Sequence, residues 1–152
     1  MDKEPSRYEQ RIGEYMERMQ LSAEARKTVS ARLAGHKSLF GRVVKDIFFC
    51  NGTPGDAPRK QQSLWVFTSD VASEMRDAAS QVDIDFAKHS DVRYVKLTAR
   101  ESDLFSVSNS SLMTMQISYA GGHESTLTAH GQNCLQLMTM FRKYFSRHMA
   151  PF

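Results

Sequence analysis

Apolar side chains in the first segment of the chain, from about residue 6 to 20, recur at spacings of three and four residues. That period places them on one face of an amphipathic helix. Ser6 and Glu9 form a capping box, in which each side chain satisfies a free backbone N–H at a helix start. The apolar positions are Tyr8, Ile12, Tyr15, Met16 and Met19.

A second helix is predicted directly afterwards, with Ser22 as its N-cap. Its apolar stripe is thinner and consists of Ala25, Val29 and Leu33. Gly35 is placed to end it, because glycine adopts the left-handed conformation that follows many helices. The two short helices predict an N-terminal helical hairpin.

The segment from 38 to 50 fits two interpretations. Its apolar spacing suits a helix, whereas its β-branched and aromatic residues suit a strand. We favour a strand from about 40 to 49. The glycine- and proline-containing stretch that follows, NGTPGDAPRKQQ, predicts a loop.

Strands are predicted to dominate from Ser63 onward, beginning with the apolar run SLWVFTS. Asp70 is a candidate cap for a helix over VASEMRDAAS, and an extended hairpin partner is the alternative. In the next segment, Val82, Ile84 and Phe86 alternate with polar residues. This period of two predicts a strand with one wet face.

Two further strand signals follow. In DVRYVKLTA the apolar residues shift phase by one position, which a β-bulge would explain. The segment SLMTMQISYAGGHESTLTAH predicts a hairpin, because Gly121 and Gly122 supply the positive φ angles of a tight turn.

The C-terminal stretch GQNCLQLMTMFRKYFSRHM predicts an amphipathic helix with basic residues outside its stripe. The predicted stripe consists of Cys134, Leu135, Met138, Phe141, Tyr144 and Phe145.

These elements predict the α+β class, since a run of strands is flanked by helices. Residues 1–36 form the helical hairpin, and residues 37–152 a single domain with a bent antiparallel sheet that the C-terminal helix closes. The outline resembles the pleckstrin-homology-like barrel. An open antiparallel sheet with helices on one face is the alternative.

Composition narrows the function classes. The 152 residues contain 20 Lys and Arg against 17 Asp and Glu, a net charge of +3 with both signs interspersed, which argues against a nucleic-acid-binding protein. The polar N-terminus lacks the apolar stretch of a signal peptide, and no apolar run reaches the length of a membrane span. We therefore expect a cytoplasmic protein with both cysteines reduced.

Two His-x-Ser triplets are the strongest enzymatic signal: His36 with Ser38, and His123 with Ser125. The pair resembles the two-histidine phosphoesterases. That resemblance implies one histidine as base, the other as acid, and the hydroxyls as phosphate ligands. The middle residues here are charged, whereas the family pattern has apolar ones.

Other reactive residues favour structural roles. Cys134 lies on the predicted stripe of the last helix, and Cys50 ends an apolar run, so both are expected to be structural. Asp83 and Asp85, with Asp91 nearby, lack the further ligands and glycine turn of a calcium loop. We predict no metal and no cofactor.

A small basic group, Lys45 with Arg59 and Lys60, is the candidate ligand site. In a pleckstrin-homology-like arrangement, the first strand loop is where acidic lipid head groups would bind, so anionic lipid is a possible partner.

The narrow apolar stripes of the helical hairpin favour a non-enzymatic binding or scaffolding module, with a protein partner or a homo-oligomer. The alternatives are the phosphoesterase using His36 and His123, and the lipid-binding module.

Overall fold

The computed structural model describes residues 6–52, 63–78 and 80–146. Helices lie at both ends of this part of the chain, and a short one separates the strands. The α-helices are α1 (Arg7–Arg18), α2 (Ala23–Phe40), α3 (Glu101–Phe105) and α4 (Asn133–Met140). A π-helical turn, Phe141–Phe145, continues α4.

Seven strands form two antiparallel sheets. Sheet A has the order β1–β2–β3–β4 and sheet B the order β5–β6–β7. The strands are β1 (Asp46–Cys50), β2 (Ser63–Phe67), β3 (Val71–Ala78), β4 (Gln81–Lys88), β5 (Val92–Ala99), β6 (Leu112–Tyr119) and β7 (Glu124–His130). The predicted α+β class, with helices at both ends, is confirmed; the sheets do not close into a barrel.

Both N-terminal helices start where the sequence predicts. Ser6 accepts a hydrogen bond from the Glu9 N–H, and Ser22 accepts one from the Ala25 N–H. The predicted end of α2 is wrong: the helix continues through Gly35 to Phe40, and Gly41 (φ +64°) is its left-handed C-cap. A glycine inside a helix costs only about 1 kcal/mol relative to alanine, which packing against the sheet offsets. The predicted boundary after residue 36 therefore falls inside α2.

Two strand assignments differ from the sequence prediction. Residues 40–45 are not strand, because α2 takes Phe40, and β1 begins only at Asp46. The helix predicted after Asp70 is wrong and the extended alternative is right: β3 pairs with β2 on one side and β4 on the other. Backbone hydrogen bonds on both sides outweigh the local preference for a helix.

Strands β1 and β2 of sheet A are buried on both faces, whereas β4 is largely exposed. Side chains of β1 and β2 alternate between two apolar clusters. Ile47, Phe49 and Val66 face an outer cluster that includes residues of α1 and α2. Phe48, Trp65 and Phe67 face an inner cluster shared with sheet B and α4. The inner cluster also contains Met113, Met115, Ile117, Leu127, Leu137 and Met140.

The free edge of β1 is closed by side chains instead of by another strand. Asn133 Nδ2 donates to Phe49 O at 2.8 Å and to Gly52 O at 3.2 Å. The Phe49 N–H donates to the Tyr15 hydroxyl, which itself donates to Asn133 Oδ1 at 2.6 Å. Gln136 Nε2 donates to Ile47 O at 2.9 Å. We call Tyr15, Asn133 and Gln136 the β1 seal.

Sheet B matches its predicted features. The register shifts between Val92 and Tyr94, which is the predicted bulge. Gly121 and Gly122 have φ angles of +93° and +89° in the turn between β6 and β7.

Within the described ranges, none of the helices has the length and apolar character needed to cross a membrane.

The C-terminal helix covers the inner cluster with most of the predicted stripe, since all its members except Leu135 belong to that cluster or pack against it: Cys134, Met138, Phe141, Tyr144 and Phe145. Leu135 is 50% exposed, whereas Leu137 and Met140 are fully buried. The predicted Cys134 and Phe145 are buried as expected. The π-helical turn after Met140 shifts the helical phase, so one regular stripe cannot continue along the whole segment.

Candidate functional site

The two predicted His-x-Ser triplets lie in different surroundings. His36 is fully buried on α2; its Nε2 hydrogen-bonds the Ser73 hydroxyl at 2.8 Å, and its ring lies 4.3 Å from that of Phe40. Burial lowers the pKa of His36. Ser38 is exposed on the same helix. The histidine therefore acts here as a neutral link between α2 and β3.

The second triplet lies at the β6–β7 turn. His123 is exposed and stacks on Tyr119, with ring centroids 5.5 Å apart, and Ser125 hydrogen-bonds the Tyr119 hydroxyl. A small crevice beside Trp65 is lined by both His123 and Ser125. Trp65 belongs to the inner cluster, whereas His36 contacts the outer face of sheet A. The two imidazoles therefore lie on opposite faces of one sheet and share no cleft.

Lys45 is the only residue of the predicted basic group that lies within the described residues. Arg59 and Lys60 lie outside the described residues. Lys45 precedes β1, and its Nζ lies 5.4 Å from the centroid of the Tyr8 ring. Arg7 and Arg11 lie at 5.2 and 5.1 Å from the same ring. This places Lys45 just before the start of β1, beside α1.

A buried carboxylate neutralises part of this positive charge. Asp46, which is 2% exposed, accepts hydrogen bonds from Arg11 Nε at 2.8 Å and from the Tyr144 hydroxyl at 2.5 Å. Lys143 Nζ lies 3.4 Å from the same carboxylate. Burial and the nearby carboxylate raise the pKa of Tyr144, so its hydroxyl remains a donor. The arrangement ties α1, β1 and the C-terminal turn together.

The remaining reactive residues form no constellation. Cys50 and Cys134 are free and buried, and burial raises the pKa of each thiol. Among the residues that the structure describes, no three His, Cys, Asp or Glu side chains are grouped as metal ligands.

The outer part of α2 and the neighbouring strand β4 form one exposed apolar surface, which we call the α2–β4 surface. Its exposed apolar side chains are Leu39 (68%), Val82 (39%) and Phe86 (62%). Phe86 packs edge-on against Phe40 of α2, with ring centroids 5.0 Å apart. Large apolar side chains grouped beside one groove are typical of interaction sites.

A groove of about 550 Å³ runs between α2 and β4. Its α2 wall is low, because Ala31 and Gly35 have small side chains, and its strand wall contains Val82 and Ile84. Arg32 closes one side through an ion pair with Asp77 of β3. The groove is therefore a shallow, open apolar depression beside β4.

The β4 strand is also an open edge. It is the last strand of sheet A, and no described strand pairs with its outer side. Alternate backbone N–H and C=O groups of such a strand are free to pair with another chain.

The opposite face of β4 is acidic. Asp83 and Asp85 are exposed there, and Glu74 lies directly across from Asp85 on β3. Arg76 forms an ion pair with Asp85 and is the only cation among these four side chains. This face therefore has a net charge of −2, from three carboxylates and one guanidinium.

The sequence predicts the alternation of β4, with Val82, Ile84 and Phe86 on one apolar face. It does not predict the groove that α2 forms beside them. Carboxylates at alternate positions of a strand are a known protection of sheet edges, so Asp83 and Asp85 were the available signal.

Comparison with known proteins finds no matching family model, no similar curated protein and no similar solved structure.

Proposed function

We propose that the chain is a non-enzymatic protein-binding module that adds an extended segment of a partner protein to the outer edge of β4. The single observation that carries the proposal is the open β4 edge beside an apolar groove. Strand addition uses both features: backbone hydrogen bonds supply affinity, and alternate side chains supply specificity.

The charge of β4 defines the chemistry of the partner. Side chains directly opposite each other on paired strands share a face. Cationic side chains on the added strand would therefore lie against Asp83 and Asp85, and apolar ones against Val82, Ile84 and Phe86. The partner segment is expected to alternate Lys or Arg with apolar residues.

The same reasoning disfavours a second copy of the chain at this edge. An antiparallel β4–β4 pair centred on Ile84 would place Val82 against Phe86 and Asp83 against Asp85. Like charges directly opposite each other destabilise a pair of strands. A heterologous partner therefore fits the edge better than self-association.

The test uses two synthetic peptides of equal length, one alternating lysine with valine and the other glutamate with valine. Binding is measured by chemical-shift changes in ¹⁵N-labelled protein. We expect the wild type to prefer the lysine peptide by roughly tenfold, equivalent to about 1.4 kcal/mol. We expect the double variant Asp83→Lys/Asp85→Lys to reverse that preference.

The matched control is Glu14→Lys/Glu17→Lys, which changes the net charge equally at exposed positions on α1. It should keep the wild-type preference. Equal binding of both peptides to the wild type, or shifts that map away from 81–88, would contradict the proposal. A wild-type dimer that the β4 double variant dissociates would instead identify a second copy as the partner.

A further inference from the structure

A second concave site lies between the end of α1 and the start of α4, beside the free edge of β1. Its volume is about 770 Å³, within the range of roughly 300–1,000 Å³ that small-molecule sites occupy. We call it the α1–α4 cleft. Its lining includes Arg18, Gln20, Asn109, Gln132, Leu135 and Gln136.

Among the described residues that line the α1–α4 cleft, Arg18 is the only charged one. Within the described ranges, no carboxylate forms an ion pair with this guanidinium. Its Cζ lies 5.8 Å from the centroid of the Tyr15 ring, which orients it and leaves its donors accessible. A planar guanidinium with free donors matches a carboxylate.

The rest of the lining is rich in carboxamides. Gln20, Asn109 and Gln132 are exposed at the rim, and Gln136 lies deeper. The amide nitrogen of Gln136 is used by the β1 seal, which leaves its carbonyl oxygen for a ligand. Carboxamides both donate and accept, so they match a ligand that contains an amide group of its own.

An apolar contact completes the lining. Leu135 is 50% exposed although the residues on either side of it, Cys134 and Gln136, are buried, and Met19 lies in the same cleft. A ligand with an aliphatic group would cover this leucine.

The backbone at the rim is held in a conformation unusual for its residue. Gln20 has φ +57° at the end of α1, where most proteins have glycine. Residues held in sparsely populated backbone regions cluster at functional sites, where the side chain is needed. Gln20 therefore supplies a carboxamide at the rim of the cleft, where a glycine would supply no side chain.

We propose that the α1–α4 cleft binds a small organic monocarboxylate that contains an amide and an aliphatic group, the chemistry of an N-acylated amino acid. Its single negative charge matches the single guanidinium of Arg18. A phosphate monoester, with a charge of about −1.5 to −2 at pH 7, would leave charge unpaired in the cleft. The proposal is independent of strand addition at β4.

The test compares N-acetyl-leucine with N-acetyl-leucinamide, which differ only in the carboxylate. Titration of ¹⁵N-labelled wild type should show shifts confined to the cleft and a preference for the acid of roughly tenfold. Arg18→Gln should abolish that preference, and Arg18→Lys should retain part of it. Arg93→Gln, the same change at an exposed position on β5, should leave it intact.

A second variant separates binding from stability. Gln20→Gly relieves the backbone strain, so it should raise the unfolding midpoint temperature and weaken both probes. Asp83→Lys/Asp85→Lys should bind N-acetyl-leucine as the wild type does, which distinguishes this site from the β4 edge.

Three results would overturn the proposal. One is equal binding of acid and amide to the wild type, or no binding of either at millimolar concentration. Another is an unchanged preference in folded Arg18→Gln, and the third is tighter binding in Gln20→Gly.

Discussion

The two outer strands of sheet A, β1 and β4, each have one edge without a neighbouring strand, and the two edges are protected in different ways. The free edge of β1 is satisfied by hydrogen bonds from the β1 seal, in which Tyr15, Asn133 and Gln136 take the place of a neighbouring strand. The free edge of β4 has no such cover within the described chain and is protected by Asp83 and Asp85. Charge discourages wrong partners while leaving the backbone groups available. The difference separates an edge that is capped within the described chain from one that we propose binds a partner.

The largest expected effect comes from opening the β1 seal. Asn133→Ala removes the side-chain donor of the Gly52 carbonyl and the acceptor of the Tyr15 hydroxyl in a buried setting, while Phe49 O keeps its bond from the Gly52 N–H. We expect the free energy of unfolding to fall by roughly 3 kcal/mol, since each unsatisfied buried group costs about 1–3 kcal/mol. Urea denaturation measures the loss. Gln132→Ala, its exposed neighbour, should change stability by less than about 0.5 kcal/mol; equal effects would refute the seal.

Tyr15→Phe tests the other half of the seal with a smaller change. Burial raises the pKa of Tyr15, so the hydroxyl stays protonated and donates to Asn133. Its removal leaves the Phe49 N–H and Asn133 Oδ1 unpaired, at a cost of about 2 kcal/mol. Combined with Asn133→Ala, the two losses should fall short of their sum by roughly 1 kcal/mol, because the residues share one network. Strict additivity in the double-mutant cycle would contradict this.

The pH dependence of stability should differ between the two sides of the sheet. Burial lowers the pKa of His36 below its ordinary value of 6.5. The neutral form therefore stabilises the fold above the unfolded-state pKa, and that contribution is lost as the pH falls through the lowered folded-state pKa. The β1 seal contains amides and a tyrosine, which do not titrate there.

Hydrogen exchange at pH 7 and pH 5 can separate these regions. We expect α2 and β3 to lose protection at the lower pH while β1 keeps its own. His36→Gln should remove the difference between the two pH values. Equal loss in β1 and α2 would show that His36 is not the titrating group.

The smallest effect is expected at β4. Asp83→Lys/Asp85→Lys replaces exposed side chains and breaks one exposed ion pair, that of Asp85 with Arg76. Such pairs contribute about 0–1 kcal/mol, so the unfolding midpoint in urea should shift little even though peptide preference reverses. A loss as large as that of Asn133→Ala would show that these carboxylates hold the fold together, and the contrast between the two edges would fail.

Features encoded within a few residues could be predicted from the sequence. Ser6 and Ser22 mark the helix starts, and Gly121–Gly122 mark the hairpin turn. Each of these signals depends on a local hydrogen bond or a local φ angle, and each is confirmed.

Features that depend on contacts between distant residues could not be predicted from the sequence. The β3 sequence suits either period, and only its pairing with β2 and β4 decides that it is a strand. Gly35 and Gly41 are equally good helix stops in isolation, and the sheet that α2 packs on selects the second. Tyr15 and Asn133 lie 118 residues apart in the sequence, so no local sequence pattern predicts the β1 seal or the cleft beside it.

The β1 seal joins residues that are far apart in the chain, and this affects how the protein can fold during synthesis. During synthesis Phe49 emerges 84 residues before Asn133, so β1 can pair with β2 on one side while its other edge stays uncovered over that stretch of translation. A ribosome-bound chain stopped before residue 133 is therefore a stage at which a holdase chaperone would shield that edge.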